Sequence, residues 1–220
     1  MTQRLDRETL ALRVAKEFQE GDVVNLGIGI PNLAASYIPE GRTVLFHAEN
    51  GIVGFGPFAG EGEEDIHLTN AGGQFVTPLP GMSVFDTVEA FAMVRGGYLD
   101  ITVLGAMQVS EKGDLANWLR PGRVIGGIGG AMDIVAGAKR VIAAMEHTDK
   151  QGTPKIVKEC SLPLTGVRCV DTIVTDMAVI HVTDRGLELA EYAPGITPEE
   201  IQAVTEPTLI ISPTLKEMEL

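Results

Sequence analysis

At 220 residues and 45% hydrophobic content the chain is long enough to bury a core of its own, and its length reads as one domain over residues 1–220. Its 30 acidic against 17 basic residues leave a formal charge of −13, which opposes the phosphate attraction of nucleic-acid binding and leaves any polyanionic ligand dependent on local donors or a second chain. No apolar run reaches the roughly 18 residues of a membrane-spanning helix, Met1 to Arg7 lacks the regions of a signal peptide, and Cys160 and Cys169 fit neither a disulfide scaffold nor a zinc pattern, so the expectation is a cytoplasmic protein with reduced thiols and no membrane partner.

Leu10, Val14 and Phe18, with Ala11 and Ala15 beside them, repeat at helical spacing between a capping Asp6 and a terminating Gly21. Val23 to Leu26 follows as a short buried strand, broken by Gly27-Ile28-Gly29-Ile30-Pro31, with a second helix from Asn32 to Tyr37. Thr43 to Phe46 is the next predicted strand. It runs into His47-Ala48-Glu49-Asn50-Gly51, where the Asn-Gly pair demands a turn and leaves Glu49 at a strand's carboxyl end.

Val84, Val88, Phe91 and Val94 predict a helix over Ser83 to Arg95, closed by Gly96-Gly97, and Ile101 to Leu104 and Val141 to Met145 predict further strands. Ala178 to Val182 and Leu187 to Tyr192 flank a hairpin turn at Thr183-Asp184-Arg185-Gly186. Thr197-Pro198-Glu199-Glu200 carries the cap, first-turn proline and capping-box glutamate of a last helix running to about Thr205. The alternation implies an α/β fold: an open, mostly parallel sheet with helices on both faces and an antiparallel edge or hairpin near the C-terminus.

Ligands of open parallel sheets sit at the carboxyl ends of strands, which directs attention to the glycine-rich stretches Gly27 to Pro31, Glu49 to Gly56 and Gly126 to Gly130. The first fails as a dinucleotide fingerprint because Asn32 stands where glycine or alanine is required, which disfavours a nicotinamide-dependent oxidoreductase. Each cluster also has a plain reading as a tight turn or packing contact, and a lone glutamate before a turn is commonly solvated surface. What distinguishes Glu49 is the run of small residues from Ala48 to Pro57, which lets a bulky substrate approach the backbone. His47, His67, His147 and His181 have no metal-ligand spacing and read as packed or surface residues; Trp118 reads as a core anchor. No G-x-S-x-G elbow and no cysteine nucleophile signature is present.

Taken in order, several segments resemble class I CoA-transferases of the 3-oxoacid type, specifically their B subunit. They are Asn25-Leu26-Gly27-Ile28-Gly29-Ile30-Pro31-Asn32, Glu49-Asn50-Gly51-Ile52-Val53-Gly54, Asn70-Ala71-Gly72-Gly73, Gly113-Asp114-Leu115-Ala116-Asn117-Trp118 and Gly129-Gly130-Ala131-Met132-Asp133. The resemblance spans about residues 8 to 195. It implies that Glu49 is the catalytic carboxylate, forming a glutamyl-CoA thioester, and that Gly130 supplies a backbone N–H to the oxyanion. Asn50 stands beside the nucleophile, and Gly27, Gly29, Gly51, Gly129 and Ala131 are candidates for the CoA or substrate pocket.

It implies further that coenzyme A is a substrate, that no metal or tightly bound cofactor is used, and that a separate A subunit completes the enzyme, as a heterodimer doubled into a heterotetramer. Two departures are visible: Gly73 stands where many relatives have lysine, and Ala48 where serine is more usual. A short 3-oxoacid such as acetoacetate is the expected acid, with succinyl-CoA, butyryl-CoA or acetyl-CoA as donor. A 3-oxoadipate-specific enzyme and a catalytically silent scaffold are the alternatives.

Overall fold

The computed structural model describes residues 4–119 and 127–220. Asp6 caps the first helix, α1 (Arg7–Ala15), its carboxylate accepting from Thr9 N at 2.8 Å. The helix ends before the expected Gly21, yet Phe18 beyond it stays fully buried. Strand β1 (Val23–Leu26) leads through the glycine turn into a short α2 (Ile30–Leu33) and a 3-10 turn (Ala34–Tyr37), so this helix begins two residues earlier than predicted. Strand β2 covers Leu45–Ala48, two residues later than predicted at either end, and Glu49 follows it directly.

Two unpredicted strands come next, β3 (Ile52–Phe58) and β4 (Val76–Val84). The predicted helix from Ser83 is shorter, α3 (Thr87–Arg95), capped by Asp86: Ser83 and Val84 pair with Val53 and Ile52 of β3 instead. Val84 and Val88 are both exposed, so the apparent apolar stripe mixed a strand end with an exposed helical face, and of its four members only Val94 is buried.

After β5 (Ile101–Leu104), the short strands β6 (Gln108–Ser110) and β7 (Leu115–Ala116) join β9 (Ile156–Val157) in a separate three-stranded sheet that the sequence did not suggest. Helix α4 (Ala131–Gly137) was also unforeseen; it precedes β8 (Arg140–Met145) and β10 (Thr172–Thr175). The predicted hairpin forms from β11 (Ala178–Thr183) and β12 (Gly186–Tyr192). Helix α5 (Pro198–Ala203) carries the full capping box of Thr197 and Glu200, and β13 (Ile210–Glu217) ends the fold.

The principal sheet has ten strands in the order β13-β12-β11-β10-β8-β5-β1-β2-β3-β4. From β10 to β2 every neighbour is parallel, antiparallel pairs flank this centre on both sides, and β13 returns parallel to β12. The antiparallel hairpin near the C-terminus is as expected; the second antiparallel flank, β3 and β4, lies beside the candidate site.

Side chains alternate along β2. Phe46 packs edge-on against Phe18 at the end of α1, whereas the next residue, His47, stacks on Phe85 just before α3. Helices α1 and α3 therefore cover opposite faces of the sheet. Arg13 of α1 is buried between Glu17 and Glu191, each at 2.7 Å, and Arg140 also reaches Glu17, which fastens α1 to β8 and β12 with every buried charge paired. No helix among the described residues is long and apolar enough to cross a membrane.

Candidate active site

Strand β1 lies at a switch in strand order: the chain passes to β2 on one side and later enters β5 on the other. The loops leaving the carboxyl ends of β1 and β5 flank this switch, the usual ligand position in such sheets. Gly27 lies where the loops are closest. Its N donates to Val103 O at 2.8 Å, and an added Cβ would meet Leu104 Cδ2 at 3.0 Å. Gly29 is exposed at the entry to α2. Asn32, the residue that excludes a dinucleotide loop, is buried beneath this turn; with its amide nitrogen facing them it reaches Gly27 O at 3.1 Å and Leu26 O at 3.2 Å.

Glu49 is half-buried, one residue past β2 and next to the switch strand. Its Oε2 accepts from Asn25 Nδ2 at 3.3 Å. Asn25 sits in the middle of β1, almost fully buried, and its amide is oriented by Thr102 of β5, whose Oγ1 donates to Asn25 Oδ1 at 3.2 Å. The same Nδ2 approaches His47 O at 3.3 Å and His47 Nδ1 at 3.4 Å. His47, Asn25 and Thr102 are register neighbours on three adjacent parallel strands, so a polar row crosses the centre of the sheet and ends at the glutamate.

The backbone of Glu49 is fixed from the other side. Thr87 Oγ1, in the first turn of α3, donates to the Glu49 carbonyl at 2.9 Å. Gly51 closes the turn: its N donates to Ala48 O at 3.0 Å and its O accepts from Phe85 N at 2.9 Å. With φ at +117° and the Phe85 carbonyl occupying the space a Cβ would need, position 51 admits only glycine. Asn50 is exposed, and its amide nitrogen is engaged with Thr69 O at 2.7 Å, tying the turn to the neighbouring loop. In that loop Asn70 Oδ1 accepts from Gly72 N at 2.9 Å and Gln74 N at 3.1 Å, and Gly73 adopts φ +75° with open space around it. The glycine at 73 thus suits a left-handed turn.

Gly129 and Gly130 form the turn into α4, with Gly130 at its N-cap and Ala131 its first residue; they enter a helix rather than follow directly on a strand. Gly126 lies outside the described residues. Gly130 packs under Phe91 of α3, where a Cβ would crowd the ring, with Cε1 at 2.8 Å. Helix α3 is therefore the common neighbour of both predicted catalytic positions: Thr87 holds Glu49, and Phe91, one turn on, covers Gly130. Arg95, a further turn along, lies over Phe91 and pairs with Asp133 at 2.9 Å, binding α3 to α4.

Three groups at this site had no role that the sequence alone could assign: Asn25, Thr102 and Thr87. The available signal was a polar residue in the middle of each of two apolar strands, Val-Val-Asn-Leu and Ile-Thr-Val-Leu. His47 is packed, as expected from the sequence. Burial pushes its ring below the ordinary histidine range, Glu49 opposing that shift, and its Nε2 is buried without a partner.

Elsewhere, His147 is buried with both ring nitrogens on threonine hydroxyls, Thr175 at 2.9 Å and Thr205 at 2.8 Å. Cys160 and Cys169 are free thiols pushed up to about 11 by burial. Trp118 is half-buried, its Nε1 donating to Leu164 O at 3.3 Å. No group of three or more potential metal ligands occurs among the described residues.

A family model described as Coenzyme A transferase matches residues 7–203. The chain is 47% identical over 206 residues to the B subunit of the probable succinyl-CoA:3-ketoacid coenzyme A transferase of Bacillus subtilis, covering 94% of this chain and 95% of that one. It is 50% identical over 215 residues to the mitochondrial succinyl-CoA:3-ketoacid coenzyme A transferase 2B of Mus musculus, covering 97% of this chain but 41% of the mouse protein. Among solved structures, the acyl-CoA transferase YdiF apoenzyme of Escherichia coli O157:H7 superposes with a TM-score of 0.74 at 25% identity, over 100% of this chain and 45% of that one.

Proposed function

The chain belongs to the coenzyme A transferase family, and we propose that it is the nucleophile-bearing subunit of a 3-oxoacid CoA-transferase in which Glu49 takes CoA covalently. The observation that carries this reading is the support of one half-buried carboxylate beside the switch strand: Asn25 and Thr102 orient it from the sheet, and Thr87 holds its backbone from α3. A surface glutamate has no need of a buried amide aligned on it by a second strand.

In the proposed reaction Glu49 Oε attacks the thioester carbonyl of an acyl-CoA, and the tetrahedral oxyanion collapses by expelling CoA thiolate, leaving an acyl-glutamyl anhydride. The thiolate attacks the glutamyl carbonyl carbon and the first acid leaves as its carboxylate, giving the glutamyl-CoA thioester. An incoming carboxylate reverses these steps, and no net proton is taken up or released. Every step passes through an oxyanion, for which the Gly130 N–H is the proposed donor; one such donor is worth about 2.7 to 4 kcal/mol of barrier.

Gly27, Gly29, Gly51, Gly129, Ala131 and Asn50 are proposed to shape the CoA and acyl pocket, with CoA entering as substrate and no tightly bound cofactor. The naming of the Bacillus relative as a B subunit, and the 41% coverage of the mouse chain, support a separate A subunit as the missing part of the enzyme; an A/B heterodimer doubled into a heterotetramer is the proposed assembly. Residues 1–220 then act as one domain, in keeping with the buried apolar cluster that runs from α1 to β13. A short 3-oxoacid such as acetoacetate is the proposed acid and 3-oxoadipate the alternative. The test is the co-expressed pair assayed against a panel of short acids, 3-oxoadipate included: transfer to acetoacetate supports the reading, and activity with 3-oxoadipate alone replaces it with the alternative.

A further inference from the structure

Among the described residues one buried side-chain polar atom has no hydrogen-bond partner, His47 Nε2. The residue is almost completely buried on β2, in a row otherwise satisfied. Such orphans are rare in folded proteins, and an apolar side chain would fill the place without leaving one. Asn25 Nδ2 is a donor, so the tautomer that suits this contact leaves Nδ1 unprotonated and carries its hydrogen on the orphan Nε2.

His47 Nδ1 and Glu49 Oε2 both contact Asn25 Nδ2, so the two side chains stand on the same side of the sheet with the Asn25 amide between them. We propose that His47 is a positioning residue for Glu49: the neutral ring offers Nδ1 to the Asn25 amide and so holds it in the orientation that also meets the Glu49 carboxylate. This inference rests on the reading of Glu49 as nucleophile. Protonation of Nδ1 would set two donors against each other at 3.4 Å and place a cation beside Glu49, drawing its carboxylate away from Asn25 towards the ring. The histidine thus makes the placement of the nucleophile sensitive to acid.

The charges that face the ring are few. On its own strand it faces Glu49; from β1 it meets neutral Asn25 and from β3 neutral Val53. From the segment leading into α3 it meets the Phe85 ring, stacked at 6.4 Å, and from α3 the Ala90 backbone, which favours the protonated ring yet gives Nε2 no hydrogen bond. Asp86 and Glu89 at the start of α3 are exposed, and Asp86 is engaged in capping Glu89 N at 2.9 Å. Glu49 is therefore the group whose position a charged His47 would change.

The test uses the full enzyme, this chain assembled with its A subunit, and compares His47→Gln, His47→Leu and the unsubstituted protein across pH, with melting temperatures and mapping of the CoA adduct. Glutamine keeps an oxygen that can accept from Asn25 but does not titrate. The expected result is kcat within about 3-fold of the parent near pH 8 and a weakened fall in kcat towards acid. Leucine offers no acceptor, and kcat is expected to drop about 10-fold throughout while KM for acyl-CoA stays within about 2-fold, the split of a group acting on the transition state rather than on binding. An unchanged acid limb in the glutamine variant, or parental kcat in the leucine variant, overturns the role of His47 while an adduct on Glu49 leaves the nucleophile standing. An adduct on another residue of the unsubstituted enzyme overturns the Glu49 reading and this one with it.

Discussion

Thr102 Oγ1 donates to Asn25 Oδ1 at 3.2 Å across two adjacent parallel strands, while the other end of the same amide faces Glu49, whose carboxylate can only accept. With the carbonyl turned to Thr102, the NH2 group points at Glu49 Oε2. Reversed, the amide would set an oxygen against a carboxylate.

From this relationship follows a graded effect on turnover. Thr102→Val keeps the shape but removes the donor, at about 0.5–1.5 kcal/mol of stability, and kcat is expected to fall roughly 3- to 10-fold as the amide loses its fixed orientation. Asn25→Ala removes the amide itself, and a nucleophile misplaced by ~1 Å is expected to cost about 10²-fold in kcat. Equal kcat in both variants and the parent, with unchanged melting temperature, would detach the polar row from catalysis.

Gly51 and Gly73 both have positive φ but differ in surroundings, and their substitutions are expected to separate. Gly51→Ala drives a Cβ into the Phe85 carbonyl beside the nucleophile and should destabilise the protein by at least about 3 kcal/mol. Gly73→Lys meets open space and bears only the left-handed penalty of about 1–2 kcal/mol. Thermal unfolding of the two variants checks the order; a Gly51→Ala protein as stable as Gly73→Lys would contradict it.

Gly130 has two possible reasons to be glycine, an unobstructed amide and the contact with Phe91, and a double substitution distinguishes them. Gly130→Ala alone is expected to lower kcat by about 10²-fold, a loss comparable to that of an oxyanion donor. Adding Phe91→Leu makes room for the new methyl. Persistence of the loss in the double variant supports the role of the amide, and recovery to near-parental kcat assigns the position to packing.

His147 predicts how stability responds to acid. Burial holds its ring down to about 3, against 6.5 ordinarily, so between these values the unfolded chain binds a proton that the fold excludes. Stability should therefore decline as pH falls from 6.5 towards 3, by up to about 1.4 kcal/mol per pH unit from this group. In His147→Gln the decline is expected to be shallower over the same window, as read from denaturant midpoints at successive pH values. An identical slope would assign the acid sensitivity to other groups.

What could be read from the sequence follows the range of the interactions involved. The caps at Asp6 and Thr197, the turn at Asn50-Gly51 and the β11–β12 hairpin are set by neighbours a few residues apart, and all are present. Strand β4 was not legible because its Pro78, Pro80 and Gly81 mimic a loop; it is a sheet edge, where prolines are tolerated. Asn25 and Thr102 escaped because they are 77 residues apart and meet only through parallel register. Glu49 was found through its flanking motif, whereas the groups that hold it became visible only in the folded chain.

The central claim is that Glu49 carries CoA, and the most direct measurement is the mass of the Glu49 peptide after the A/B pair has been incubated with acyl-CoA and no acceptor acid, then reduced with borohydride. The account predicts the reduced-thioester product on that peptide in the parent protein. It predicts none in Glu49→Gln, and in Glu49→Asp a kcat/KM at least about 10²-fold down, since the shorter chain withdraws the oxygen by roughly 1 Å. An adduct on any other glutamate, or an aspartate variant within about threefold of the parent at unchanged melting temperature, would contradict it.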